Sequence, residues 1–300
     1  MRSRNPNPPD SKPGLTEEIL HPNWEKELSQ TANAALTYPD YYTSSFHAYD
    51  EGNLGWLPAM EVSAAARSVH ARIWSDPDER AGLQGDKSLR ESYHQVLRQV
   101  LSTTPDNVVD LGCSTGLSTF ALQNNYPSAQ VIGVDLSPYF LTVAQYVCEH
   151  AVTGYTTADS NADSGEKNDR QIRWVHAAAE ATGLPENTAD LVSACLGFHE
   201  LPTAAARDVI AEAYRLVRPG GYFSIMDMDP ECETFTKMPP YVLTLLKSTE
   251  PFLDQYLTSD IAKLLQSAGF ENPQMVRNSP RHRTVIVQKP VITQNIKETA

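Results

Sequence analysis

Short apolar runs ending in turn residues alternate along this chain with stretches whose apolar positions recur at helical spacing. Val108 and Val109 lead into Asp110, a Gly-Cys-Ser-Thr-Gly turn follows at 112–116, and Leu117–Gln123 restores helix-compatible residues. This reads as strand, tight turn, helix. Gln130–Asp135 is a second short apolar run ending in a carboxylate, and Ser137 and Pro138 then fit an N-cap and a first helical position. Ile172–Ala177 resumes the sheet, and Gln274–Arg277 and Arg283–Lys289 flank Asn278-Ser279-Pro280 as a terminal hairpin. Tyr93, Val96, Leu97, Val100 and Leu101 share one helical face, as do Ile210, Ala213, Tyr214 and Val217, with Thr203 as the expected cap of the latter helix.

The pattern predicts an α/β fold: a Rossmann-like, doubly wound, mostly parallel sheet with a C-terminal antiparallel hairpin and an N-terminal helical lid. Residues 1 to about 35 read as a flexible lead. Residues 36–104 form a helical lid or extension, largely helical from Tyr38 to Leu101, and 105–300 form the core. The polar stretch 152–169 reads as an exposed loop, and no internal repeat is apparent.

The turn at 112–116 carries the candidate chemistry. First-turn amides of a helix point outward unpaired, ready for an anionic ligand group, and glycine lets the backbone approach it. Asp135, ending the second strand, is placed to accept hydrogen bonds from both ribose hydroxyls of an adenosine-bearing cofactor, roughly 1.5–3 kcal/mol each. A dinucleotide fold wants G-x-G-x-x-G; from Gly112, the later positions hold Ser114 and Leu117, whose side chains crowd a diphosphate.

The pattern instead resembles the first two motifs of class I S-adenosylmethionine-dependent methyltransferases, D/E-x-G-x-G-x-G followed by an acid ending the next strand. Asp110, Gly112 and Gly116 match; Ser114 replaces the middle glycine and is expected at negative φ. Trp174–Leu201 is similar to the family's D-A-E-x-L-P-F…F-D-L-V…L-H-E stretch at Ala179-Glu180, Leu184-Pro185, Asp190-Leu191-Val192 and His199-Glu200. Ala178 stands where the family commonly has an adenine-binding Asp, which passes that role to backbone atoms or to Glu180. Leu216–Asp227 resembles the helix-turn-strand that follows, its Arg-Pro-Gly-Gly turn read as scaffold. The flanks Tyr38–Trp56, Lys247–Tyr256 and Ser279–Lys289 look like a group of plant and cyanobacterial methyltransferases of unassigned substrate.

The resemblance implies a seven-stranded sheet, S-adenosyl-L-methionine as cofactor, and cofactor contacts from Asp110, Gly112, Ser114, Gly116, Asp135, Leu136, Ala179, Glu180 and Tyr42. It implies one direct displacement with no metal; the acceptor itself is expected to be a small, partly apolar molecule. His199 is the candidate general base, with a structural histidine as the alternative, and Glu200 and Asp227 follow it. Among the rings of Tyr41, Tyr42, Phe46, His47, Tyr49 and Trp56, Tyr42 and Tyr49 are expected near the methionine end of the cofactor or the acceptor, or else they pack the lid onto the sheet. Arg281-His282-Arg283 reads either as a site for an acidic group or as a solvated hairpin tip.

The formal charge of −13 argues against a nucleic-acid partner. No apolar run approaches the roughly 18 residues of a membrane span, and the first residues have no hydrophobic segment of signal type. The four cysteines lie far apart without C-x-x-C spacing, which fits a reducing compartment such as the cytoplasm, with a plastid also open. Two rival readings stand beside the enzyme: a non-catalytic S-adenosylmethionine or S-adenosylhomocysteine binder, and an NAD(P)-dependent oxidoreductase. Oligomeric state is not legible.

Overall fold

The computed structural model describes residues 23–47, 49–74, 82–150 and 172–291. The expected loop at 152–169 and the first 22 residues of the expected lead lie outside the described residues.

Three parallel strands are laid down first: β1 (Asn107–Leu111), β2 (Gln130–Asp135) and β3 (Arg173–His176), with helices α4 (Leu117–Asn125) and α5 (Pro138–His150) between them. Then come β4 (Ala189–Cys195), α6 (Thr203–Leu216) and β5 (Val217–Met228). The chain closes through α7 (Glu233–Thr236), α8 (Pro240–Thr249), α9 (Leu253–Thr258), α10 (Ile261–Ser267) and the hairpin β6 (Gln274–Arg277) and β7 (His282–Gln288). The seven-stranded sheet runs β3-β2-β1-β4-β5-β7-β6. β5 pairs antiparallel with β7, and β6 with β7, while the other neighbours are parallel. Strand order therefore reverses between β1 and β4, which opens a crevice at their carboxyl ends.

The central strands are apolar because helices cover both faces. On one, Val109, Val192, Phe223 and Ile225 pack with Val209, Ile210 and Ala213 of α6. On the other, Val108, Leu191, Met226 and Ile286 pack with Leu89, Tyr93 and Leu97 of α3 (Gly85–Val100), where the Tyr93 hydroxyl meets Ser193 Oγ at 2.9 Å. The stripe read from sequence thus makes α3 a face of the core.

Several expectations need correction. The segment from Tyr38 to Gly55 is a series of turns, not helix, with positive φ at His47 and Gly52 and Pro39 at its start; helix α2 begins only at Trp56 and runs to His70. Within the expected flexible lead, α1 (Trp24–Thr31) is ordered by its Asn23 cap and by Trp24, whose ring meets Trp56 and Tyr146 at 5.3 and 5.1 Å. Pro202, not Thr203, caps α6; the Thr203 amide donates to Gln255 Oε1. Arg218–Gly221 lies inside β5, where the register with β4 shifts, instead of separating helix from strand. Arg281-His282-Arg283 is no solvated tip: His282 is buried with Nδ1 against Ser279 Oγ at 2.8 Å, and Arg281 donates to the Arg72 carbonyl.

Candidate active site

Two groups of side chains meet the crevice. The first is built by the loop leaving β1. Gly112 and Gly116 take φ of +68° and +89°, and Ser114 takes +50°, the left-handed region and not the negative φ expected of a serine. Its amide explains how this is held: it donates to Asp135 Oδ2 at 2.7 Å, while the Ser137 amide donates to Asp135 Oδ1 at 2.8 Å. Ser137 also accepts from the Phe140 amide, as a cap should, and donates to the Asn53 carbonyl, which straps the turn segment to α5. Burial pushes the Asp135 carboxyl up to about 6 against the pull of these amides.

Asp110 sits beneath the turn, fully buried, with Oδ2 accepting from the Ser118 and Thr119 hydroxyls at 2.7 Å each. Its Oδ1 has no partner, nor has the buried Ser114 Oγ. Burial raises this carboxyl also to about 6. The two outer glycines differ. A Cβ on Gly116 would meet Trp174 at 2.8 Å and Phe120 at 2.9 Å, so that glycine serves packing. A Cβ on Gly112 would meet nothing within 4 Å, so that glycine borders open space.

Over this group lies the turn segment. The Tyr42 hydroxyl reaches Asp135 Oδ1 at a long 3.5 Å, and Tyr41 donates to Glu180 Oε1 at 2.7 Å. Leu136 is buried, its carbonyl 3.0 Å from His176 Nε2, and His176 Nδ1 accepts from the Asn33 amide at 2.7 Å. Ala179 packs against the core beside Ala177.

The second group stands at the ends of β4 and β5. Leu196, at φ +58°, leads into a 3-10 turn over Phe198–Glu200. Asp227, at the end of β5, receives the Phe198 and His199 amides on Oδ2 at 2.8 and 3.2 Å, and the Met228 amide on Oδ1 at 2.7 Å. His199 Nδ1 donates to the same Oδ1 at 2.8 Å. Burial opposes a charge on His199, but the Asp227 carboxylate outweighs it and raises the imidazole to about 10, while Asp227 itself is held below the usual carboxylate range. The proton of this pair resides on His199. Glu200 Oε1 lies 4.0 Å from His199 Nε2; burial raises its carboxyl to about 7, partly offset by His199 and His47.

His47 and Glu250 complete this group, and neither was singled out from the sequence. His47 Nε2 pairs with Glu250 Oε1 at 2.6 Å, and the His47 amide donates to the Thr249 carbonyl. His47 stood among the titratable groups before the core; Glu250 carried no signal beyond its place in the KSTEPFLDQY stretch. Tyr49 is not brought here. Its hydroxyl donates to Glu61 Oε2 at 2.6 Å on α2, and that bond, with a little burial, pushes it up to about 12. Among the described residues no group of acids, histidines and cysteines is spaced to hold a metal ion, and no helix is long and apolar enough to cross a membrane.

The sequence profile of a family described as "Methyltransferase domain" matches residues 109–225, which span the turn, Asp110, Asp135, His199 and most of β5. Residues 109–225 thus carry a methyltransferase domain. It is 28% identical over 181 residues to an uncharacterized methyltransferase of Synechocystis, covering 60% of this chain and 74% of that one. It is 25% identical over 130 residues to a demethylmenaquinone methyltransferase of Thermus thermophilus, covering 43% of this chain and 50% of that relative's length. In fold it is similar to a Haemonchus contortus phosphoethanolamine N-methyltransferase solved with S-adenosylhomocysteine, with a TM-score of 0.52, 14% identity, and coverage of 80% of this chain and 60% of that one.

Proposed function

We propose that this methyltransferase acts on a small, partly apolar acceptor held between residues 41–47 and the turn Phe198–Glu200. One observation carries the reading: the cofactor-type turn after β1 and the imidazole–carboxylate group after β4 and β5 open onto the same carboxyl edge of the sheet, on either side of its switch point. The rings of Tyr41, Tyr42 and Phe252, set edge to face at 6.4 and 6.5 Å, and of Tyr256, 6.3 Å from His199, supply the apolar surface. The net charge of −13 favours a small acceptor over a nucleic acid.

The residues of the turn fit the cofactor, because open space lies beside Gly112 and the buried Ser114 Oγ and Asp110 Oδ1 lack partners. When bound, S-adenosylmethionine supplies a methyl carbon made electrophilic by its sulfonium. Asp110, Gly112 and Ser114 would receive its amino-acid end, with Gly116 packing the turn behind them, and Asp135 would offer its remaining lone pairs to the ribose hydroxyls. Leu136, Ala179 and Glu180 border the adenine, and Tyr42 closes over Asp135 to exclude water. On the acceptor side, His199 is already protonated by its pairing with Asp227 and serves to position. Glu200, whose carboxyl lies near 7, is the group suited to take a proton at neutral pH. The described cysteines are all free thiols, which suits a reducing compartment such as the cytoplasm.

The test is transfer of a tritiated methyl group from S-adenosylmethionine by the purified protein, with a small-molecule extract, RNA and denatured protein offered in parallel. Label in a small molecule, lost with Gly112→Val, is the expected result. Label only in RNA or protein excludes the small acceptor.

A further inference from the structure

We propose that the reacting group of the acceptor is an amine that arrives as its ammonium ion, seated between Glu200 and Glu250, and that Glu200 takes its proton. This rests on the methyl-transfer reading above and adds the chemical class of the acceptor.

The starting point is an inventory of donors and acceptors in the second group. Three carboxylates, Asp227, Glu200 and Glu250, face two imidazoles, His199 and His47. Asp227 is satisfied four times over, by three amides and by His199. Glu250 is satisfied on one oxygen only. Its side chain is 7% exposed, Oε1 takes His47 at 2.6 Å, and Oε2 is buried with no partner. A buried carboxylate oxygen without a donor is unfavourable, so Oε2 is free to accept an N–H or O–H from a bound group. Glu200 has only the 4.0 Å approach of His199 Nε2, beyond hydrogen-bonding distance.

The charge count points the same way. The groups acting on Glu200 are His199, His47, Glu250 and Asp227. The group holds three carboxyls, Asp227, Glu200 and Glu250, against two imidazoles, His199 and His47, so the acids outnumber the bases by one. Arg283, across the β5–β7 pairing from Asp227, meets Tyr256 and keeps a buried Nε without a partner, but it is not among the groups acting on Glu200. An acceptor with a carboxylate or phosphate at this point would add a like charge to an already negative, desolvated pocket. A hydroxyl acceptor brings one donor for two deficient carboxylates. An ammonium brings three N–H donors and a positive charge, enough for Glu200, for Glu250 Oε2 and for one further contact.

The step then balances. One ammonium N–H bond breaks, its proton forms an O–H bond on Glu200, and its electron pair stays on nitrogen. That pair forms the N–C bond as the methyl carbon's bond to sulfur breaks, with the sulfur keeping its electrons. Glu200 returns its proton to solvent after the product leaves. His47 and Glu250 hold the nitrogen without touching the methyl carbon, so they are positioning residues.

The experiment uses the full chain with S-adenosylmethionine deuterated at the methyl. A small-molecule extract is divided by ion exchange into cationic, neutral and anionic fractions, each is offered separately, and products are read by mass spectrometry. The expected product is an N-methylated amine from the cationic fraction. Glu200→Gln should lower its formation about 100-fold and Glu250→Gln should raise the amine's KM about tenfold, while S-adenosylhomocysteine affinity stays within about twofold because both residues lie outside the turn. A product labelled on oxygen or carbon from the neutral or anionic fraction overturns the amine and leaves methyl transfer intact. No labelled product from any fraction, by protein that binds S-adenosylhomocysteine, overturns both. An amine product whose rate and KM are untouched in both variants overturns the seat between Glu200 and Glu250.

Discussion

The cofactor end and the acceptor end of the crevice are built in different ways. At the cofactor end, Asp110, Ser114, Asp135 and Ser137 come from two adjacent strands and their following turns, and amides and hydroxyls of the same stretch satisfy all but Asp110 Oδ1 and Ser114 Oγ. At the acceptor end, His47, His199, Asp227 and Glu250 come from four separate segments that only the folded chain brings together. The first end is local, and one stretch from Asp110 to Ser137 describes it. The second depends on the sheet order and on the lie of residues 38–55, so its chemistry can differ between proteins that share the first.

Perturbing each end in turn sharpens this contrast. The largest effect is expected from Asp227→Ala, which strips the acceptor from three buried amides and leaves the His199 charge unpaired. Thermal or urea unfolding should show a loss of about 3–5 kcal/mol. Asp227→Asn, which keeps a hydrogen-bonding group, should lose less stability yet lower turnover by about 100-fold. If Asp227→Ala instead costs under about 1 kcal/mol, the His199 pair is not the buried anchor of this end.

Next come the two glycines of the turn. Gly116→Ala meets Trp174 and Phe120 at a positive φ and should cost about 2 kcal/mol in denaturant melts. Gly112→Ala bears only the cost of its φ, about 1 kcal/mol, but pushes a methyl into the open space and should weaken S-adenosylhomocysteine more than Gly116→Ala does. Equal binding losses would remove the distinction between a packing glycine and a ligand glycine.

Acid should act on the cofactor end through Asp135. Its carboxyl is raised to about 6, and only the ionised form accepts from two ribose hydroxyls at once. Affinity for S-adenosylhomocysteine should be level above about pH 7 and fall below about 6, by up to tenfold per pH unit, as titration calorimetry across pH 5–8 would show. An affinity that rises on acidification contradicts an ionised Asp135 at the ribose. The smallest effect is expected from Tyr49→Phe. Its hydroxyl engages Glu61 on α2, so turnover should stay within about twofold of wild type; a large loss would return Tyr49 to the chemistry.

The same division governs what the sequence made legible. β1, the glycine turn and β2 announce themselves by apolar runs and turn residues within one stretch, and the hairpin by its flanking strands. The positive φ of Ser114 escaped because the hydrogen bond its N–H donates to Asp135, one strand away, holds it there. The ordered helix Trp24–Thr31 escaped because its partners, Trp56 and Tyr146, are remote in sequence. The helical expectation for 38–55 goes with the covering lid that the resemblance implies, although Pro39, Gly52 and Gly55 argue for turns. Glu250 had no local signal at all; only its pairing with His47 gives it a role.

The central claim is that the crevice between the glycine turn and Asp135 holds the adenosine-bearing cofactor. Calorimetric titration of S-adenosylhomocysteine into wild type and Asp135→Ala tests it most directly. The expected result is one-site binding by wild type, weakened about tenfold to a hundredfold in the variant, the worth of one or two ribose bonds. Folded wild type that binds nothing, or a folded variant that binds equally well, would contradict it.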